Sequence, residues 1–110
     1  MRRFLPLLLL ASVVLSALAV PAQAGRTATV TLEDVAFKPG KLTIRKGDRV
    51  RFVWKDGPYT GHNVRSRGTP RFKGSGTRTS GSYTVRFARK GTYRYVCTIH
   101  LGMDGRIVVK

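Results

Sequence analysis

From residue 27 onward, apolar and polar residues alternate along the chain. Val50, Phe52 and Trp54 fall on every second position, with Arg51, Val53 and Lys55 between and after them. That is the period of a strand with one face turned inward. Tyr83, Val85 and Phe87 repeat the pattern against Thr84 and Arg86, and Tyr93, Tyr95 and Cys97 share one face of a further strand. Thr27 to Leu32 and Leu42 to Arg45 are β-rich runs, and Ile107 to Val109 closes the chain as a last short strand. Pro39-Gly40, Lys46-Gly47-Asp48 and Arg89-Lys90-Gly91 supply the turns between them. Helical periodicity is nearly absent after residue 24. Short strands at this spacing predict an all-β domain, an antiparallel sandwich or barrel. Arg65 to Ser82 breaks the pattern, being rich in glycine, serine and basic residues. It reads as a long mobile connection with one weak strand around Arg71 to Lys73.

The first 24 residues belong to a different element. Arg2 and Arg3 precede the apolar run Phe4 to Val20, and Ala22-Gln23-Ala24 has the small-x-small form of a signal-peptidase site. Residues 1–24 are therefore read as a signal peptide, cut after Ala24, and residues 25–110 as a single domain. An uncleaved anchor helix is the alternative, because the run approaches the shortest length that spans a bilayer. Export makes the protein periplasmic or extracellular, with membrane association left open.

Composition sharpens this reading at two points. Removing Arg2 and Arg3 from the 21 Lys and Arg leaves 19 against 5 Asp and Glu, a net charge of +14 on the mature chain. The bases are spread along the strands, so they read first as solvent faces and second as an attraction for acidic surfaces. The single cysteine excludes an intramolecular disulfide in a compartment that permits one. A leftover cysteine is then a buried apolar residue, a link to another chain, a nucleophile or a metal ligand.

Its surroundings discriminate among these. Cys97-Thr98-Ile99-His100-Leu101-Gly102-Met103 gathers the only cysteine, one of two histidines and one of two methionines into seven residues. Strand parity turns Cys97 inward with Tyr93 and Tyr95, which argues against an exposed intermolecular thiol and against an accessible, activated nucleophile. Thiolate, imidazole and thioether together suit copper. A trigonal plane of two His and one Cys with a long axial Met lacks one imidazole, and His62 is the one histidine left. Structural zinc wants four Cys or His ligands where three exist, and haem attachment wants a second cysteine. No Ser-His-Asp order, paired carboxylates or phosphate-cradling loop is evident, and Asp56 and Asp104 read as isolated.

Three blocks then resemble a known family. Phe37 to Trp54 (FKPGKLTIRKGDRVRFVW) is similar to an early strand pair with its Gly-Asp turn, His62-Asn63-Val64 to a first copper-ligand corner, and Tyr83 to Met103 to a strand pair ending in the Cys, His and Met ligands. Together they resemble the cupredoxins, small blue copper proteins of the plastocyanin and amicyanin type, over about Val35 to Val109. The resemblance implies a Greek-key β-sandwich and one copper per chain, cycling between Cu2+ and Cu+. It implies His62, Cys97 and His100 as in-plane ligands, Met103 as axial ligand, and an Asn63 hydrogen bond to the loop at Thr98. Ile99 stands where amicyanin-like loops usually carry proline, and Asp56 near a place where the family often has asparagine.

The expectation is thus an extracytoplasmic electron carrier without catalysis of its own. It is monomeric, binds no nucleic acid and meets redox proteins through acidic docking surfaces, with contact to anionic membrane as an open alternative. A copper delivery or storage protein is the second reading. A polyanion-binding β-domain with incidental Cys and His is the third.

Overall fold

The computed structural model describes residues 25–110, so the signal-peptide reading of residues 1–24 lies outside the described residues. Eight strands follow in order: β1 Thr27–Glu33, β2 Ala36–Lys38, β3 Lys41–Ile44, β4 Arg49–Trp54, β5 Arg65–Arg67, β6 Ser82–Arg86, β7 Gly91–Val96 and β8 Asp104–Val109. They form two four-stranded sheets, ordered β2-β1-β4-β6 and β3-β8-β7-β5, packed as a sandwich. Among the described residues there is no helix.

Alternation works as the pattern predicts. Val30 and Leu32 of β1, Val50, Phe52 and Trp54 of β4, Tyr93 and Tyr95 of β7, and Ile107 and Val109 of β8 are buried between the sheets. Burying each such side chain contributes about 1.5–3 kcal/mol. Aromatic rings fill the centre, Tyr95 meeting Phe37 and Phe52 edge-on at centroid distances of 4.7 and 5.4 Å. Gly105 has to be glycine because the Tyr95 ring covers it: a Cβ there would lie 2.6 Å from the Tyr95 hydroxyl.

The pairing is mixed rather than antiparallel, since β1 runs parallel to β4 and β3 parallel to β8. Alternation reports which face a residue takes and carries no information on strand direction. The segment after β5 also departs from expectation. Its strand is β5, Arg65–Arg67, paired with β7, while residues 71–73 lie outside any strand. The segment is tied down. Phe72 packs against Phe52, Phe87, Tyr93 and Tyr95. Ser75 and Val64 exchange hydrogen bonds, Ser75 N–H donating to the Val64 carbonyl at 2.9 Å and Val64 N–H to Ser75 Oγ at 3.0 Å. One aromatic and one buried hydroxyl fix what glycine-rich composition made look free.

The ends of the sandwich differ. At one end Asp48 ties Gly25 and Arg26 to the turn before β4. At the other, the loops after β4 and β7 converge.

Candidate metal centre

Two corners make the site. The first follows β4, where the chain loops from Asp56 and returns at His62. His62 is held by its backbone: its N–H donates to the Arg78 carbonyl and its carbonyl accepts Arg78 N–H in return, both at 3.0 Å. Trp54, the last residue of β4, donates its indole N–H to the His62 carbonyl at 2.8 Å. The second corner follows β7. Cys97 continues the inward face of Tyr93 and Tyr95, and the chain then turns tightly back into β8. Cys97 N–H donates to the Met103 carbonyl at 2.9 Å and Met103 N–H to the His100 carbonyl at 3.2 Å, which closes the loop.

The corners bring His62, Cys97 and His100 together, with ligand atoms all within 4.8 Å of one another. His62 Nδ1 lies 3.2 Å from His100 Nδ1, and Cys97 Sγ lies 3.5 Å from His100 Nδ1 and 4.0 Å from His62 Nδ1. Bond lengths of about 2.0 Å to nitrogen and 2.3 Å to sulfur in a trigonal plane put donors roughly 3.5–3.7 Å apart. The observed triangle has that size. His62 and Cys97 are buried, and His100 is half-buried between exposed Ile99 and Leu101. Met103 is 1% exposed and lines the same groove as Cys97 and His100.

Proton placement fits a cation too. His62 Nε2 lies 2.7 Å from Asp56 Oδ2. A carboxylate only accepts, so Nε2 is the donating nitrogen, and Nδ1 is the nitrogen turned toward His100 and Cys97. Asp56 Oδ1 accepts Asp34 N–H at 3.1 Å. That backbone hydrogen bond first, and the His62 hydrogen bond second, hold the Asp56 carboxyl below the usual carboxylate range. Asp56 therefore stays an acceptor.

Around the sulfur, Asn63 N–H approaches Cys97 Sγ at 3.5 Å. The Asn63 side chain spans the two corners. Its Nδ2 donates to Thr98 Oγ1 at 2.8 Å and Thr77 Oγ1 at 3.0 Å, and its Oδ1 accepts Thr98 N–H at 2.9 Å. Such partners orient ligating groups.

The sequence reading named His62, Asn63, Cys97, Thr98, His100 and Met103, and the fold gathers all six at this end. It missed Asp56, treated as isolated, and Thr77. Asp56 carried one signal, its departure from the asparagine usual near that place. Thr77 carried none, because its contact depends on how the segment after β5 folds back.

Comparison with known proteins agrees with the geometry. The profile of the cupredoxin-like domain matches residues 6–109. Amicyanin-alpha of Methylorubrum extorquens is 32% identical, over 81% of this chain and 76% of the relative. Amicyanin of Paracoccus versutus is 30% identical, over 83% of this chain and 68% of the relative. Among solved structures, a reduced Cu(I) form of an amicyanin mutant superposes with a TM-score of 0.67 at 25% identity, over 76% of this chain and 82% of that one.

Proposed function

This chain belongs to the cupredoxin-like family of small blue copper proteins, with one copper per chain, and from that premise we propose an exported single-electron carrier. In this reading residues 1–24 are the export signal and residues 25–110 the carrier. His62 Nδ1, Cys97 Sγ and His100 Nδ1 would hold the copper, and the Met103 thioether would be its fourth, weaker donor. The observation that carries the reading is the placement of His62 Nδ1, 3.2 Å from His100 Nδ1 and 4.0 Å from Cys97 Sγ, while His62 Nε2 lies 2.7 Å from Asp56 Oδ2.

Bound copper supplies a one-electron couple that needs no bond-breaking in the protein. The residues supply rigidity and access. Asp56 holds the His62 ring in one tautomer and one orientation. Asn63 points its backbone N–H toward the sulfur, and its side chain locks the first corner to Thr98 of the second. Preset donors change little between oxidation states, so an electron enters or leaves with little rearrangement. His100 is the least buried of the three and is the exit. Ile99 and Leu101, 52% and 105% exposed, flank it with apolar surface suited to a brief redox encounter.

The test is an absorption spectrum of the purified protein after addition of copper(II). A carrier gives an intense thiolate band toward the red end of the visible range, bleached and restored by one-electron reduction and reoxidation. Colourless copper(I) that dissociates readily indicates delivery or storage instead. No metal uptake at all sinks the proposal.

A further inference from the structure

Positive charge is arranged differently on the two sheets. On the second sheet, Lys41 stands opposite Arg106, Arg106 opposite Arg94, and Arg94 opposite Arg67. One residue from each of the four strands therefore forms a single cross-strand row. All four are exposed, and their strand neighbours Tyr93, Tyr95 and Ile107 are buried, so the row leaves the outer face. With strands about 4.8 Å apart, four cations cross roughly 14 Å. The first sheet holds no such row. Arg51 stands between Thr29 and Thr84, and the longest cationic match is Arg49 opposite Arg86, with Thr27 beyond.

Like charges directly opposite each other destabilise a sheet, so the fold gains nothing from the row. Ion pairs among the described residues join Lys38 to Glu33 and Asp34, and His62 to Asp56, and none of them reaches it. Asp104 stands two residues along β8 from Arg106, opposite Val96, and is the one carboxylate lining the grooves beside the row. The row also has a direction. Arg67, Arg94 and Arg106 line a groove of about 390 Å³, and Arg67 in addition lines the groove that holds Cys97, His100 and Met103. One end of the row, Arg67, reaches the metal loop.

We propose that the row Lys41–Arg106–Arg94–Arg67 is the docking surface for an acidic face of a one-electron redox protein. The inference rests on the carrier reading and names the side from which the partner approaches. Carboxylates repeating along one helix face are about one turn, 5.4 Å, apart, close to the spacing of the row. A flat anionic membrane responds to summed charge, which both sheets carry. A four-membered row adjoining the metal loop on one sheet favours a discrete protein face. The electron moves without bond-making: the partner loses or gains one electron as the copper centre gains or loses one.

The test uses a reduced plant-type ferredoxin as an acidic protein probe, with stopped-flow reduction of the copper-loaded protein as readout. Arg94→Glu with Arg106→Glu is compared with Arg51→Glu plus Arg86→Glu, an equal change of charge on the other sheet. At low salt the first pair is expected to slow the second-order reaction by about 10- to 100-fold and the second pair by under about 3-fold. The difference should vanish near 0.5 M salt. An intact visible band certifies folding. Should the double reversal fail to fold, Arg94→Gln with Arg106→Gln gives a smaller slowing in the same direction. Equal slowing by the two pairs overturns the proposal. Amide shifts of the copper-free protein titrated with ferredoxin decide the row separately from the carrier reading, because they need no metal. Shifts concentrated on β5, β7 and β8 support the row, and shifts spread over both sheets refute it. Phosphatidylglycerol vesicles form the other arm, and row-dependent vesicle binding with no row dependence for ferredoxin assigns the surface to lipid and overturns the proposal.

Discussion

The strand β4 ends in a carboxylate at each extremity, and the two do different work. Asp48, just before it, is 5% exposed and accepts backbone hydrogen bonds from Arg45 N–H at 2.9 Å, Arg26 N–H at 3.1 Å and Gly25 N–H at 3.2 Å. Asp56, just after it, accepts one backbone N–H and one imidazole. The Arg45 hydrogen bond above all holds the Asp48 carboxyl below its ordinary range, against the opposing effect of burial. Asp56 is lowered by the same device, with the histidine as second cause. A carboxylate that gathers main-chain N–H groups from two distant segments fixes the fold. One that shares its lone pairs with a ligand side chain fixes chemistry.

The largest effect that separates the two ends comes from Cys97→Ser. The substitution is nearly isosteric and leaves the Asp48 end untouched. It should abolish the visible thiolate band completely, while the circular dichroism of the copper-free protein keeps its β-sheet form. A band that survives would place the thiolate elsewhere and dissolve the distinction.

Asp48→Ala strikes the opposite end. Three N–H groups lose their acceptor in a nearly buried site, and Tm of the copper-free protein is expected to fall by roughly 5–10 °C. Copper-bound Asp48→Ala should keep its band position, since nothing at the metal corner has changed. The same residue sets an acid limit. Its folded pKa lies below the ordinary aspartate value of 3.8, so its stabilisation is present above about pH 3.8 and is lost as pH falls through the lower folded value. Thermal melts of copper-free protein from pH 5 to pH 2 should show wild type losing stability over that interval more steeply than Asp48→Asn. Parallel slopes would mean that Asp48 does not govern the acid limb.

Asp56→Asn is the gentler counterpart. The amide keeps one acceptor oxygen for Asp34 N–H but no longer compels a proton on His62 Nε2. Copper affinity should fall by about 10- to 100-fold, with little change in the melting of the copper-free protein. Imidazole nitrogen shifts of His62 give a second readout, expected to move from one tautomer toward a mixture. Unchanged shifts and affinity would reduce Asp56 to a structural acceptor like Asp48.

The two carboxylates also mark what the sequence could disclose. Strand faces were legible because alternation is local, and Cys97, His100 and Met103 were legible because three soft or borderline donors in seven residues are hard to explain otherwise. His62 followed from the ligand count alone. Asp56 was not legible as a partner of His62, because the five intervening residues place the two together only after the loop has folded. The parallel pairings β1–β4 and β3–β8 left no mark on a one-strand pattern. Strand β5 was hidden by its composition, Arg-Ser-Arg, which has no apolar face and forms a strand because β7 offers it an edge. Phe72 lay in a segment that composition described as loose, and one aromatic side chain was enough to anchor it.

The smallest effect tests how Asp56 itself is held. Its backbone donor, Asp34, sits in the two-residue turn that joins β1 to β2, where Glu33 pairs with Ala36. Asp34 and Val35 have φ of 57° and 56°, the positive values that a type I′ hairpin turn demands at both central positions. Aspartate tolerates that region and a β-branched valine does not. Val35 is also 46% exposed, so its side chain adds little burial. Glycine at 35 relieves the backbone but frees the unfolded chain, and the two effects partly cancel. Val35→Gly should therefore raise Tm by only a few degrees, with copper affinity unchanged because Asp34 N–H still reaches Asp56. A fall in affinity would mean that the strained turn presses Asp56 onto His62, and that the metal end depends on a hairpin that never touches the metal.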